Sequence, residues 1–224
     1  EIVWLVDDSG YLYYPAYRGD IKFRRDNYDE TETLLVSKVI YQSRDGNVYG
    51  FLVLPKDVSE QLPGIVILPG AGVSKESELE LAKRLAELGA AVLTIDQRGV
   101  GETTGKLNTI EQDYLNFING KEPSQHLMVY DALRAYDLLY SAPFVDPDRI
   151  ILIGESLGGR IAIIAGALDK NIKGVLAISS AGLNFEKVND SRVDNFLKSI
   201  DSYHYIDLIA PRKLVMIHAK NDAI

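Results

Sequence analysis

The 224-residue sequence has no cysteine, two methionines and one tryptophan. The lack of cysteine excludes disulfide bonds, thiolate catalysis and cysteine-ligated metals, but it leaves the cellular compartment open. No apolar run approaches the roughly eighteen residues of a membrane span. Basic residues are outnumbered by acidic ones, 24 to 32, for a net charge of −8. This balance argues against nucleic acid as a partner, because phosphate binding needs concentrated Lys and Arg.

The remaining composition suits a single domain, residues 1–224, with 46% hydrophobic residues and enough length for one core. The scarcity of Cys and Met beside abundant Ile is compatible with a thermophilic source. The chain starts without methionine and stops soon after an apolar strand, so we expect both ends to be cut. Localisation therefore stays open between the cytoplasm and a secreted or anchored protein.

The stretch Ile150–Gly159 is the most informative one. An apolar run, Ile150–Ile153, stops at Gly154, and helically spaced apolar residues follow from Leu157 to Leu168. Ser156 stands between Gly154 and Gly158, which completes a G-x-S-x-G motif between a predicted strand and a predicted helix. The arrangement predicts a nucleophile elbow that holds Ser156 in a strained turn at the positive end of a helix.

Elsewhere, strands alternate with helices over short links, which predicts right-handed crossovers and a mainly parallel sheet with helices on both faces. An Asp45-Gly46 pair predicts a hairpin, and Ser77 with Glu80 predicts a capping box. The predicted strands are Thr33–Gln42, Val48–Leu54, Ile65–Leu68, Ala91–Ile95, Ile150–Ile153, Val175–Ile178 and Leu214–Ile217, and a further helix spans about Ser124–Tyr140.

Two segments fall outside this alternation. Residues 1–33 form an N-terminal extension whose tyrosines either pack over the domain or make a contact surface. Residues 183–200 carry an apolar stripe at helical spacing and are either a crossover helix or a small lid over the pocket. The tyrosines are Tyr11, Tyr13, Tyr14 and Tyr17, and the stripe consists of Val193, Phe196, Leu197 and Ile200.

Four landmarks stand in order along the chain: Pro69–Gly72, Asp96–Gly101, Gly154–Gly159 and His218–Asp222. From about Leu34 onward the sequence resembles the α/β-hydrolase superfamily and is similar to its dienelactone-hydrolase-like and acyl-peptidase-like serine hydrolases. Dienelactone hydrolases carry cysteine at the elbow, so the serine here points to an esterase or peptidase. Relatives often have His-Gly where this chain has Pro69-Gly70, a change that leaves a backbone contact possible.

The resemblance implies a role for each matching residue. Ser156 corresponds to the nucleophile, and Leu157, the residue after it, supplies one oxyanion N–H. Ala71 is the first choice for the second N–H. Asp222 stands where the superfamily carries its acid, with a loop or cap aspartate as the structural alternative. The fallback acids are Asp194 and Asp190.

The histidine of the triad has no obvious counterpart. The superfamily order is Ser, acid, His, and only two residues follow Asp222. His126, His204 and His218 are expected to be structural. We therefore expect the catalytic histidine, with a final strand and helix, to lie beyond Ile224. Without that strand, Leu214–Ile217 would be an open edge, which predicts self-association such as a homodimer.

These expectations describe a serine carboxylesterase that hydrolyses small acyl esters through an acyl-enzyme, without metal or organic cofactor. The same triad would also serve a peptidase or amidase. A non-catalytic binding protein on a hydrolase scaffold is the third alternative, supported mainly by the missing histidine.

Overall fold

The computed structural model describes residues 3–186 and 188–222. Its strands are β1 (Leu5–Val6), β2 (Leu12–Tyr13), β3 (Phe23–Glu30), β4 (Leu34–Ser43), β5 (Gly46–Pro55), β6 (Leu62–Leu68), β7 (Ala91–Ile95), β8 (Val145–Glu155), β9 (Gly174–Ile178) and β10 (Lys213–Ile217). Its helices are α1 (Leu79–Glu87), α2 (Ile110–Ile118), α3 (Ser124–Ser141), α4 (Leu157–Leu168) and α5 (Ser191–Ile200), followed by a 3₁₀ helix (Ser202–Leu208).

The main sheet has eight strands in the order β10-β9-β8-β6-β7-β5-β4-β3. The five strands from β10 to β7 run parallel. The other three form an antiparallel meander that joins the sheet through β5 and β7. The predicted hairpin is present between β4 and β5, with Asp45 at a positive φ of 58°. The mainly parallel sheet expected from the sequence is confirmed.

Helices cover both faces of the sheet. One apolar cluster joins α3 and α4 to one face, and a second joins α1 to the other. Every residue of β7 is buried, as is nearly every residue of β6. Strands enclosed on both faces read as continuous apolar runs, which is why these two were visible in the sequence.

Strand β3 and helix α2 are among the elements that were not predicted. Strand β3 is polar and mostly exposed, and its ladder with β4 rather than any apolar alternation holds it at the sheet edge. It places residues 23–30 of the N-terminal extension within the main sheet. Helix α2 begins at a capping box of Thr109 and Gln112. The capping box predicted at Ser77 and Glu80 is wrong, because α1 begins one residue after Glu78 and has no side-chain cap.

Helix α5 occupies most of the 183–200 insert, and its apolar stripe packs against the rest of the protein. Phe196 and Ile200 are buried, and the Phe196 ring lies 5.6 Å from that of Tyr114 and 5.4 Å from that of Phe117. These contacts join α5 to α2. A lid function for the insert stays a prediction. Over the described residues, the helices are too short or too polar to traverse a bilayer.

Candidate active site

Ser156 lies at the junction of β8 and α4 in a strained conformation, with φ 50° and ψ −115°. The turn is tight because strand and helix approach each other there. A Cβ at Gly154 would stand 2.2 Å from the Gly158 carbonyl oxygen, a separation that no side chain tolerates. Strain of this kind costs roughly 1–3 kcal/mol and persists only where the surroundings enforce it. The local geometry is that of a nucleophile elbow.

The backbone of Ser156 is held on both sides while its side chain faces solvent. Its N–H donates to the Ile178 carbonyl at 2.9 Å, and the Ser180 hydroxyl donates to the Ser156 carbonyl at 2.8 Å. Ser180 also packs against the elbow, since a Cβ at Gly159 would stand 2.6 Å from the Ser180 Cβ. Ser180 was not predicted from the sequence, because it follows β9 whereas its partners follow β8.

The two expected oxyanion donors lie at the start of α4 and in the turn after β6. Leu157 is the first residue of α4, so its N–H has no acceptor within the helix and lies at the positive helix end. Ala71 belongs to a turn in which the Val73 N–H donates to the Gly70 carbonyl at 3.2 Å. An ideal Cβ at Gly70 would lie 3.7 Å from the Ser156 Cβ. The turn therefore passes directly beside the elbow.

A buried ion pair fixes the loop that carries Ala71. The Asp96 carboxylate accepts from the Lys75 N–H at 2.7 Å and from the Lys75 Nζ at 2.9 Å. It also accepts from the Glu102 N–H at 3.0 Å. Burial lowers the pKa of Lys75, but the hydrogen bonds that its ammonium donates to Glu76, Asp96 and Glu102 outweigh burial and hold the pKa above its ordinary value. Lys75 thus stays charged, and its role was not predicted from the sequence.

Asp222 follows β10, two strands from β8 in the sheet. Its loop is therefore offset from the elbow by about 10 Å, two strand spacings. The carboxylate lies 3.7 Å from the Nδ1 atom of His218. The fallback acids are both engaged on α5, since Asp190 caps that helix and Asp194 pairs with Lys198 at 2.8 Å.

Two histidines make hydrogen bonds that do not involve Ser156. The Nε2 atom of His126 lies 2.7 Å from the Ser199 hydroxyl, which itself donates to the Phe196 carbonyl, so the ring nitrogen is the donor. Nε2 of His204 donates to the Ser9 carbonyl at 3.0 Å. Within residues 3–186 and 188–222, no histidine bonds the Ser156 hydroxyl. In the same ranges, no three His, Asp or Glu side chains come together as metal ligands.

A mainly parallel sheet covered on both faces, with a strained serine between a central strand and its helix, defines the α/β-hydrolase fold. The family model for acetyl xylan esterase (AXE1) matches residues 16–223. The chain belongs to this family.

This chain matches only part of the length of its curated relatives. YtaP of Bacillus subtilis (strain 168) is 31% identical over 193 residues, which are 80% of this chain and 59% of the relative. The polyketide transferase grgF of a Penicillium species is 28% identical over 148 residues, which are 66% of this chain and 46% of the relative. The chain thus spans about half to three fifths of these relatives.

Solved structures support the fold. An acetyl xylan esterase from Paenibacillus sp. R4 superposes with a TM-score of 0.72 at 19% identity, covering 91% of this chain and 84% of the other. A glucuronoyl esterase from Solibacter usitatus gives 0.65 at 17% identity, covering 93% and 70%. At these identities the likeness concerns architecture alone.

Proposed function

We propose that this chain carries the nucleophile, oxyanion donors and acid of a serine esterase that removes small acyl groups, in particular acetyl groups, from carbohydrate esters. The observation that carries the proposal is the positive-φ conformation of Ser156 between β8 and α4. A non-catalytic scaffold has no need of a strained, exposed serine at a helix N-terminus. Membership of the acetyl xylan esterase family supports esters over peptides and acetyl over longer acyl groups.

In the proposed reaction, the Ser156 hydroxyl attacks the ester carbonyl while a histidine accepts its proton. The N–H groups of Leu157 and Ala71 bind the oxyanion of the tetrahedral intermediate, and loss of one such donor costs about 3–4 kcal/mol of transition-state stabilisation. The alcohol leaves with the proton from the histidine, and water then releases acetate from the acyl-enzyme. Asp222 orients the histidine, which the superfamily order places after the acid.

The nucleophile is tested in the full-length protein with 4-nitrophenyl acetate and acetylated xylan. Ser156→Ala is expected to lower kcat by about ten-thousandfold or more, because triad members act as a unit. Ser59→Ala, at an exposed serine between β5 and β6, is the matched control and should retain wild-type activity. Substantial turnover by Ser156→Ala would refute the assignment.

Further variants separate the acid and the base. Asp222→Asn should lower kcat far more than Asp194→Asn, because only Asp222 would orient the histidine. His218→Gln should keep most of the activity if its proximity to Asp222 is structural. Loss in His218→Gln as deep as that in Ser156→Ala would make His218 the general base instead.

A further inference from the structure

A groove opens on the molecule beside the N-terminal extension. It contains a cavity of about 450 Å³ between residues 16–23 and the C-terminal end of α3. We call it the tyrosine groove and define it by Tyr17, Arg18, Asp20, Tyr136 and Tyr140. Its volume lies within the range of small-molecule sites, roughly 300–1,000 Å³.

The tyrosine groove is remote from the elbow. Asp169, another residue of its lining, directly follows α4, whereas Ser156 precedes that helix. A helix of this length separates the two by about 18 Å. A ligand in the groove therefore does not occupy the proposed catalytic centre.

Aromatic rings are exposed along the groove. Tyr17 is 76% exposed and Tyr140 is 50% exposed, so both present ring surface to an incoming ligand. The sequence left open whether the tyrosines of the extension pack or make a contact surface. Tyr14 is buried, whereas Tyr17 is available for contact.

The groove also holds a polar group without a protein partner. Tyr136 is 2% exposed, and within the described residues its buried hydroxyl makes no hydrogen bond. Burial is the largest cause that raises the pKa of Tyr136, and the charge of Asp169 and the nearby Tyr140 raise that pKa further. Tyr136 lines the cavity together with Asp169 and Tyr140, so its side chain borders the groove. An unpaired buried hydroxyl costs about 1–3 kcal/mol, which a ligand hydroxyl would offset.

The charges that line the 450 Å³ cavity argue against an anionic ligand. Arg18 is the only cation in the described lining, and it bonds Asp137 at 2.6 Å and Asp169 at 2.7 Å. The lining of this cavity therefore offers no unpaired cation to an anionic ligand, although Lys170 lines the neighbouring cavity. Asp20 accepts from the Tyr17 hydroxyl at 3.2 Å and offers further lone pairs to donors. Exposed rings flanked by hydrogen-bonding groups suit a pyranose, which has apolar C–H faces and a rim of hydroxyls.

The groove is longer than one sugar ring, because a second cavity adjoins the first. A second cavity of about 360 Å³ shares Ala16, Arg18, Asp169 and Asn171 with the first. We infer that the tyrosine groove binds a neutral oligosaccharide chain, with Tyr17 and Tyr140 stacking on sugar rings and the Tyr136 hydroxyl bonding a sugar hydroxyl. Such a site would hold a polysaccharide on the protein independently of the chemistry at Ser156.

Binding is tested with unacetylated xylohexaose, which carries no ester and therefore reports nothing about hydrolysis. Calorimetric titration of the full-length protein should give a measurable Kd. Tyr17→Ala and Tyr140→Ala should each raise that Kd about fivefold, the effect of a lost aromatic contact. Tyr203→Ala is the matched control, because Tyr203 is 77% exposed but lies outside the groove. The Kd of Tyr203→Ala should stay within about twofold of the wild-type value.

Tyr136→Phe separates a ligand contact from a structural role. Deleting a hydroxyl that has no protein partner should leave Tm unchanged or raise it, while the Kd rises about threefold to tenfold. A fall in Tm with unchanged Kd would overturn the role of Tyr136. The inference as a whole fails if xylohexaose does not bind, if Tyr203→Ala weakens binding as much as Tyr17→Ala, or if anionic oligogalacturonate binds more tightly than xylohexaose. It also fails if Tyr17→Ala changes the oligomeric state instead of the Kd.

Discussion

Gly158 shows how a single missing carbon determines the geometry around Ser156. A Cβ at this position would stand 1.9 Å from the Leu68 carbonyl oxygen and 2.6 Å from that of Pro69. Both neighbours are backbone atoms at the end of β6 and cannot turn aside. Gly158→Ala must therefore displace α4 from β6, and overpacking of this kind costs about 3 kcal/mol. We expect a fall of that size in the free energy of unfolding, measured by urea denaturation, together with loss of esterase activity.

Gly70→Ala provides the comparison, because its φ is not in the positive range and its nearest contact would be an ordinary 3.7 Å. It should change the free energy of unfolding by less than about 1 kcal/mol. Equal destabilisation by the two substitutions would show that the contact at Gly158 does not limit the packing of α4.

At the scale of elements, the loop after β6 is held by the carboxylate of Asp96, which lies outside that loop. Asp96 at the end of β7 bonds both the N–H and the Nζ of Lys75, and all of these groups are buried. Removal of one member of a buried pair leaves the other uncompensated, at a cost of about 3–5 kcal/mol. Lys75→Met should thus lower the free energy of unfolding by about that amount and reduce kcat, because the turn with Ala71 loses its anchor.

Lys173→Met is the matched control for this change. Lys173 pairs with Asp148 at 2.8 Å, but both side chains are exposed, and exposed pairs contribute about 0–1 kcal/mol. If the two lysine variants unfold at the same urea concentration, the pair of Lys75 and Asp96 does not stabilise the loop.

Elements were predictable from the sequence where their burial requires a recognisable pattern of apolar residues. Strand β7 was predicted with its observed bounds, Ala91–Ile95, because it is enclosed on both faces and entirely apolar. Strand β3 escaped prediction because only its backbone ladder with β4 holds it. In the candidate site, the elbow followed from local glycines, whereas Lys75 and Ser180 act through partners distant in sequence. Such contacts are set by the assembled sheet and leave no local pattern.

At the scale of the whole molecule, His126 joins three parts of the chain. It lies on α3, its Nε2 bonds Ser199 of α5, and its ring centroid lies 5.7 Å from that of Trp4 in the N-terminal extension. Burial lowers the pKa of His126 to about 3. Between about pH 6.5 and pH 3 the imidazole therefore stays neutral in the folded protein, whereas an exposed histidine would gain a proton.

The sign of the resulting pH effect follows from the two states. In the unfolded chain His126 binds a proton below a pH of about 6.5, whereas in the folded chain it does so only near pH 3. Between these values the unfolded state holds more protons, so acidification favours unfolding by up to about 1.4 kcal/mol per pH unit. From pH 7 to pH 5 this histidine should thus remove about 2 kcal/mol of stability.

His126→Gln tests this contribution, because an amide N–H can still donate to Ser199 but cannot titrate. Urea denaturation at pH 7 and pH 5 gives the free energy of unfolding for each protein. The wild type should lose about 2 kcal/mol more than His126→Gln over this interval, since carboxylate titrations are common to both and cancel. The comparison needs both pH values, because at pH 7 the lost ring contacts alone already lower the free energy of unfolding of His126→Gln. Equal losses in the two proteins would mean that His126 gains its proton in the folded state, and that the junction of α3, α5 and the N-terminal extension opens to water.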